Sequence, residues 1–133
     1  MKVIAVVTAF AAASAVFQAP TAIDGDTIVI GGEHIRIANI DTPEIHHAQC
    51  DAEKRLGEVA KRRMGQLLLS GKITILRGDP ADGRLKDRYG RTLAILLIDG
   101  RDAGGIMIEE GLARQWTGRR EPWCRPEADT KRK

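Results

Sequence analysis

From Thr21 onward the chain alternates apolar and polar residues, and turn residues cut the alternation into short runs: "TAI" before Asp24-Gly25, "DTIVI" before Gly31-Gly32, then "EHIRIANI". β-Branched runs separated by Asp-Gly and Gly-Gly predict a meander of three antiparallel strands. Between Asp51 and Ser70 the period lengthens. Ala52, Leu56, Val59, Ala60, Met64, Leu67 and Leu68 fall on one helical stripe, with Lys54, Arg55, Lys61 and Arg62 off it. This predicts a helix capped by Asp51 at its start and by Gly71 at its end. "KITIL" reads as another strand, and "RGDPADGRLKDRYG" as a loop. "RTLAILLI" is apolar on both faces, as a central strand would be, and closes at Asp99-Gly100. "AGGIMIEEG" predicts a short helix stopping at Gly111, and "LARQW" a last short strand. The order is that of a mainly β, α+β domain: a small closed barrel with a packed helix.

Ahead of this pattern lies "MKVIAVVTAFAAASAVFQAP", with one Lys, an apolar run of about 11 residues and a small-x-small site at Ala13-Ser14-Ala15. It reads as an export signal over residues 1–15, too short to span a bilayer. The expected organisation is then a barrel domain over 16–118 and a basic C-terminal tail over 119–133. The exported protein is expected to be secreted or periplasmic, monomeric and without stable membrane association. In an oxidising compartment Cys50 and Cys124 make an even pair, and a bridge between them would remove roughly 4 kcal/mol of unfolded-chain entropy. The competing reading is a metal site at His46, His47 and Cys50, which completes no standard zinc spacing.

Composition adds less. With 43% hydrophobic and 29% charged residues in 133, one modest core is the limit. The formal net charge of +3 is weak evidence for a polyanionic partner. Charge is uneven, because residues 114–133 hold seven Lys or Arg against three acids.

The candidate chemistry sits at loop edges. "IDTPEI", residues 40–45, leaves an apolar strand by presenting Asp41 and Glu44 on either side of Thr42 and Pro43. Thr42 as N-cap and Pro43 as first helical residue would make a helix start. Yet the following "IHHAQC" carries no helical repeat, so the acids look placed for another purpose. "DGDT", "IRIANIDTPE", "DRYGR" and "EGLA", taken in this order, resemble the staphylococcal nuclease family, the calcium-dependent thermonucleases, from about Thr21 to Ala113. The resemblance implies a five-stranded oligonucleotide-binding (OB-fold) barrel and hydrolysis of DNA and RNA. It places the family's metal ligands on Asp26, Asp41 and the carbonyl of Thr42, its phosphate-binding arginines on Arg36 and Arg91, and its catalytic carboxylate on Glu44. Tyr89 matches the tyrosine beside the bound nucleotide. The family's tyrosines after "GLA" are missing, with Trp116 a candidate substitute, and its last long helix has no counterpart.

Residue chemistry supports the same assignment. Phosphodiester hydrolysis needs a hard cation on phosphate oxygens, cationic donors for the growing charge and a base for water. Two carboxylates and a carbonyl suit Ca²⁺, which takes six to eight oxygens in loose geometry. Arg36 and Arg91 can each offer a planar fork to phosphate. Glu44, with an ordinary pKa of about 4.3, either takes a proton from an acidified water or orients it. One difficulty remains: strict alternation puts Arg36 and Asp41 on opposite faces, so the strand must bulge or end between them, and Asn39 is the expected place. The expectation is a secreted, calcium-dependent nuclease acting on single-stranded DNA and RNA and leaving 3′-phosphate ends. The alternative is a barrel that binds single strands without cutting them. A third reading, a disulfide-stapled export domain with a protein partner, leaves the arginines and acids unexplained.

Overall fold

Three short strands open the domain, β1 (Thr21–Ala22), β2 (Thr27–Ile30) and β3 (Glu33–Ile37), paired antiparallel in sequence order as the turn residues predict. They belong to a computed structural model that describes residues 2–12 and 18–125. The Ala13-Ser14-Ala15 site and residues 126–133 of the tail lie outside the described residues. Residues 2–12 carry no helix or strand and are exposed. Among the described residues no helix is long and apolar enough to cross a membrane.

The chain then makes a two-residue strand, β4 (Ile40–Asp41), and a long helix, α1 (Asp51–Leu68). Next come β5 (Ile73–Arg77) and β6 (Thr92–Ile98), a tight turn into β7 (Arg101–Asp102), a short helix α2 (Ala103–Glu109) and β8 (Arg114–Gln115). The main sheet runs β1-β2-β3-β6-β5, with β7 added to β6, while β4 and β8 pair as a separate ribbon. Five principal strands and a packed helix are therefore present, in an α+β arrangement. The hydrogen-bonded path is open between β1 and β5 among the described residues, so the sheet is not closed into a barrel by hydrogen bonds. β6 is central as its two apolar faces predict, but it meets β3 in parallel. Only the chain's long excursion through α1 makes that possible.

The core lies between the sheet and the helices. Ile28, Ile35, Ile37, Ile40, Met64, Leu96 and Met107 are fully buried, each contributing about 1.5–3 kcal/mol of transfer free energy. Asp99 and Gly100 both take positive φ, as the β6–β7 turn requires. The ends of α1 differ from expectation. Its N-cap is Cys50, without a side-chain cap, and its C-cap is Leu69 rather than Gly71. Its buried face also differs: Ala52 and Val59 are exposed, while Glu53 and Gly57 are buried beside Ala60 and Met64. Gly57 is there because the helix runs against the chain at Pro43 and Glu44. A Cβ at position 57 would lie 2.8 Å and 2.7 Å from their carbonyl oxygens. Residues 42–50 form no helix, so Thr42 and Pro43 do not start one.

Candidate functional site

The site is built where β3 gives way to β4. Arg36 stands on β3 opposite Thr27 of β2. The strand ends after Ile37, Ala38 and Asn39 make a turn, and Ile40 resumes extended structure. This break resolves the alternation difficulty at the expected residue. It is held on three sides: the Ala38 N–H donates to the Ala94 carbonyl at 2.9 Å, the Trp116 N–H to the Asn39 carbonyl at 2.9 Å, and the Asn39 amide to Asp102 Oδ2 at 2.9 Å. Asp102 also caps α2 through the Gly104 N–H.

Past the break, the Thr42 N–H donates to Asp26 Oδ2 at 3.1 Å, which ties the "DGDT" turn to the "IDTPE" corner. The guanidinium of Arg36 lies 3.4 Å from the same carboxylate and donates to the carbonyls of Ile37 and Ile40. Asp26 and Asp41 are only 7% and 4% exposed. Asp41 Oδ1 is buried with no hydrogen-bond partner, while its Oδ2 accepts the Trp123 indole N–H at 3.2 Å. Burial pushes the Asp41 carboxyl up, the Trp123 bond pulls it back, and the charge of Asp26 pushes it further up. Asp24 is raised by burial and then by Asp26. Glu44 is raised by burial against the pull of Arg120, with Asp26, Asp24 and Asp41 adding to the rise. Acids crowded this way favour a cation among them. An orphaned buried carboxylate oxygen beside a second carboxylate is a donor set suited to a hard, oxygen-seeking ion. No cluster of three or more His, Cys, Asp or Glu is arranged to hold a metal among the described residues.

Across the cleft, the loop before β6 presents Arg91 and Tyr89. Asp87 organises this loop, accepting the backbone N–H groups of Tyr89 and Arg91 at 2.9 Å each and Arg91 Nε at 2.6 Å. Burial works against the Asp87 carboxylate, but these bonds prevail and hold it below the usual range. Arg91 is thereby fixed with its Nη1 reaching Thr27 Oγ1 at 3.4 Å. Tyr89 is 69% exposed, with the Arg88 and Arg91 guanidinium groups 5.0 and 5.4 Å from its ring centre. A cleft of about 860 Å³ is lined by Asp26, Arg36, Glu44, Tyr89, Arg91 and Trp116, among others. Most residues singled out from sequence therefore meet in one place. Asp41 is buried and not among the lining residues, and Thr42 shows its N–H bonded to Asp26.

Three participants were not legible in the sequence. Glu53, buried on α1, accepts the backbone N–H of Glu44 at 3.0 Å and of Gln49 at 2.8 Å, so a helix acid fixes the 44–49 loop. Arg120 pairs with Glu44 at 2.7 Å, and Trp123 reaches Asp41. Both lie in the segment assigned from sequence to the tail. Its described part, 119–125, packs on the site and is bridged to it by the disulfide Cys50–Cys124, with Cα atoms 6.1 Å apart across a sequence separation of 74. Because Cys50 is spent in that bridge, the alternative metal site with His46 and His47 loses its sulfur ligand.

Comparison with known proteins agrees with this geometry. Residues 34–131 match the family model described as staphylococcal nuclease homologue. The chain is 39% identical over 97 residues to endonuclease YncB of Bacillus subtilis, covering 70% of this chain and 44% of that protein. It is 38% identical over 97 residues to the SPbeta prophage-derived endonuclease YokF of the same organism, covering 70% and 31%. To the thermonuclease of Staphylococcus intermedius it is 31% identical over 96 residues, covering 69% and 54%. The chain thus spans between about a third and a half of the length of these relatives. With the matched region containing Arg36, Asp41, Glu44 and Arg91, the chain belongs to the staphylococcal nuclease family.

Proposed function

We propose that this protein hydrolyses the phosphodiester bonds of DNA and RNA in a calcium-dependent reaction, preferring single strands and leaving 3′-phosphate ends. The observation that carries the reading is a cleft lined by Asp26, Arg36 and Arg91, with the buried, unpartnered Oδ1 of Asp41 outside its lining but close enough for Asp26 to raise the Asp41 carboxyl. Buried acids at the base of an arginine-lined cleft oppose a polyanion unless a cation intervenes. Asp26, Asp41 and the carbonyl of Thr42 would hold that ion as Ca²⁺, whose chemistry is to neutralise phosphate charge and acidify a water. Arg36 and Arg91 grip the phosphate oxygens, and their contacts strengthen as charge builds in the transition state. Glu44, raised by burial toward a better proton acceptor, takes the proton of the attacking water. As the water oxygen bonds to phosphorus, the bond to the 5′ oxygen breaks. The 5′ oxygen takes a proton from solvent, and phosphate stays on the 3′ end. The exposed Tyr89, with Trp116 lining the same cleft, offers stacking surfaces for unpaired bases.

The exposed residues 2–12, without helix or strand, support an export signal outside the folded domain, and with it a secreted or periplasmic protein. The N-terminal sequence of exported protein should then begin at Val16. For the activity, the purified protein is incubated with single-stranded DNA and Ca²⁺, with and without chelator, and the product ends are identified. Calcium-dependent cleavage to 3′-phosphate ends is expected. The aromatic and arginine lining of the cleft also suits a binder that does not cut, and binding without cleavage in any divalent ion would establish that alternative instead.

A further inference from the structure

Arg120 is placed by more contacts than a surface arginine needs. The chain on its C-terminal side is anchored by the Cys50–Cys124 disulfide and by the Trp123 bond to Asp41. Arg114 of β8 braces it as well, with its guanidinium 3.7 Å over the Trp123 ring and its Nη1 donating to the Pro122 carbonyl at 2.8 Å. These anchors deliver Arg120 to the rim of the cleft that holds Arg36 and Arg91. There it makes one ion pair among the described residues, Nη2 to Glu44 Oε1 at 2.7 Å, with its side chain still 59% exposed. A guanidinium carries five N–H donors, so most of its fork is free to take another oxyanion.

The pair also occupies the carboxylate that must receive a proton during hydrolysis. The pair engages one oxygen of that carboxylate, and a phosphate arriving in the cleft offers the same guanidinium a second oxyanion that can draw it away. We propose that Arg120 is a third phosphate-binding residue of this cleft, resting on Glu44 in the free protein and transferring to the nucleic-acid backbone when a single strand enters. The inference rests on the phosphodiester-hydrolase reading above. It goes beyond that reading by giving the disulfide-anchored C-terminal segment a place in substrate binding.

The test compares wild type, Arg120→Gln, Arg120→Lys and Arg62→Gln, the last removing one charge from the exposed face of α1 outside the cleft. Binding of a labelled single-stranded oligonucleotide is read by stopped-flow anisotropy with Ca²⁺, before turnover, across a salt series. Arg120→Gln is expected to weaken binding about tenfold and to lower the slope of log Kd against log salt by about 0.7, the value for one phosphate contact on a single strand. Arg120→Lys should restore the slope, and Arg62→Gln should keep it. If Arg120→Gln leaves affinity and slope unchanged while turnover changes, Arg120 acts on Glu44 alone and the proposal is overturned. An equal loss of slope in Arg62→Gln would assign the effect to net charge and also overturn it. A wild type that binds but never cleaves defeats the hydrolase reading, while the salt slope still decides whether Arg120 meets phosphate.

Discussion

The carboxylate of Glu53 accepts the backbone N–H of Glu44 at 3.0 Å, so one acid, buried in the first turn of α1, fixes the backbone that carries another. Its second oxygen takes the Gln49 N–H at 2.8 Å, which closes the loop between the corner and the helix. The helix is thereby the template on which Glu44 is aimed.

Glu53→Gln should therefore uncouple the two. The amide keeps one acceptor and turns an N–H₂ toward a backbone donor, leaving that donor unpaired at a cost of about 1–3 kcal/mol. The melting temperature should fall, and turnover should fall by more than substrate affinity, because the arginines are not disturbed. Unchanged turnover in a folded variant would show that Glu44 needs no such support.

Gly57→Ala tests the same contact from the other side. Its Cβ would press on two backbone carbonyl oxygens that cannot rotate away, so α1 or the corner must shift. The substitution is favoured by helix propensity, yet a loss of about 1–3 kcal/mol is expected from overpacking. A denaturant titration showing stabilisation would mean that the helix stands further off.

Asp41→Asn removes a full charge from the oxygen donor set. Wild-type protein should gain melting temperature when Ca²⁺ is added, and this variant should lose most of that gain along with nearly all hydrolysis. Without Ca²⁺ it should melt at or above wild type, since burial and Asp26 disfavour the Asp41 charge. An undiminished Ca²⁺-induced rise would remove Asp41 from the site.

Arg91→Lys and Arg36→Lys should each be far from conservative. At position 91, Lys replaces a planar fork that is oriented by Asp87 and stands beside Tyr89. At position 36 it also gives up donors to the Ile37 and Ile40 carbonyls, so it should lower stability where Arg91→Lys does not. Both are expected to lower kcat at least tenfold. A change confined to KM would contradict a role in the transition state.

Glu33 gives a pH dependence apart from the site. Hydrogen bonds from Arg77 and Thr92 hold its carboxyl down at about 2, well below the ordinary 4.5. A depressed folded-state pKa adds stability at pH values above about 4.5, and that contribution fades as pH falls from there toward 2. Melting curves of wild type and Glu33→Gln should differ most near neutrality and converge in acid. A constant difference across that range would contradict the ion pair with Arg77.

The sequence alone determined what depends on local geometry. Period-two runs between Gly and Asp turns set the three-strand meander, and a 3.6-residue period set the long helix. Short motifs carried the family resemblance that pointed to Asp26, Arg36, Asp41, Glu44, Tyr89 and Arg91, and the fold brings all but Asp41 to the lining of one cleft. What required tertiary structure depends on distance across the chain. The parallel pairing of β3 with β6 leaves no local mark, since either orientation suits the same alternating strand. Glu53 and Gly57 carry no local signal of their roles, because their value comes from a loop that only the packed helix meets. Arg120 and Trp123 read as tail, because the expected Cys50–Cys124 bridge brings the segment near the corner but does not say which side chains it faces, Glu44 and Asp41. A charged residue's role is fixed by the charge it faces, and only the fold chooses that partner.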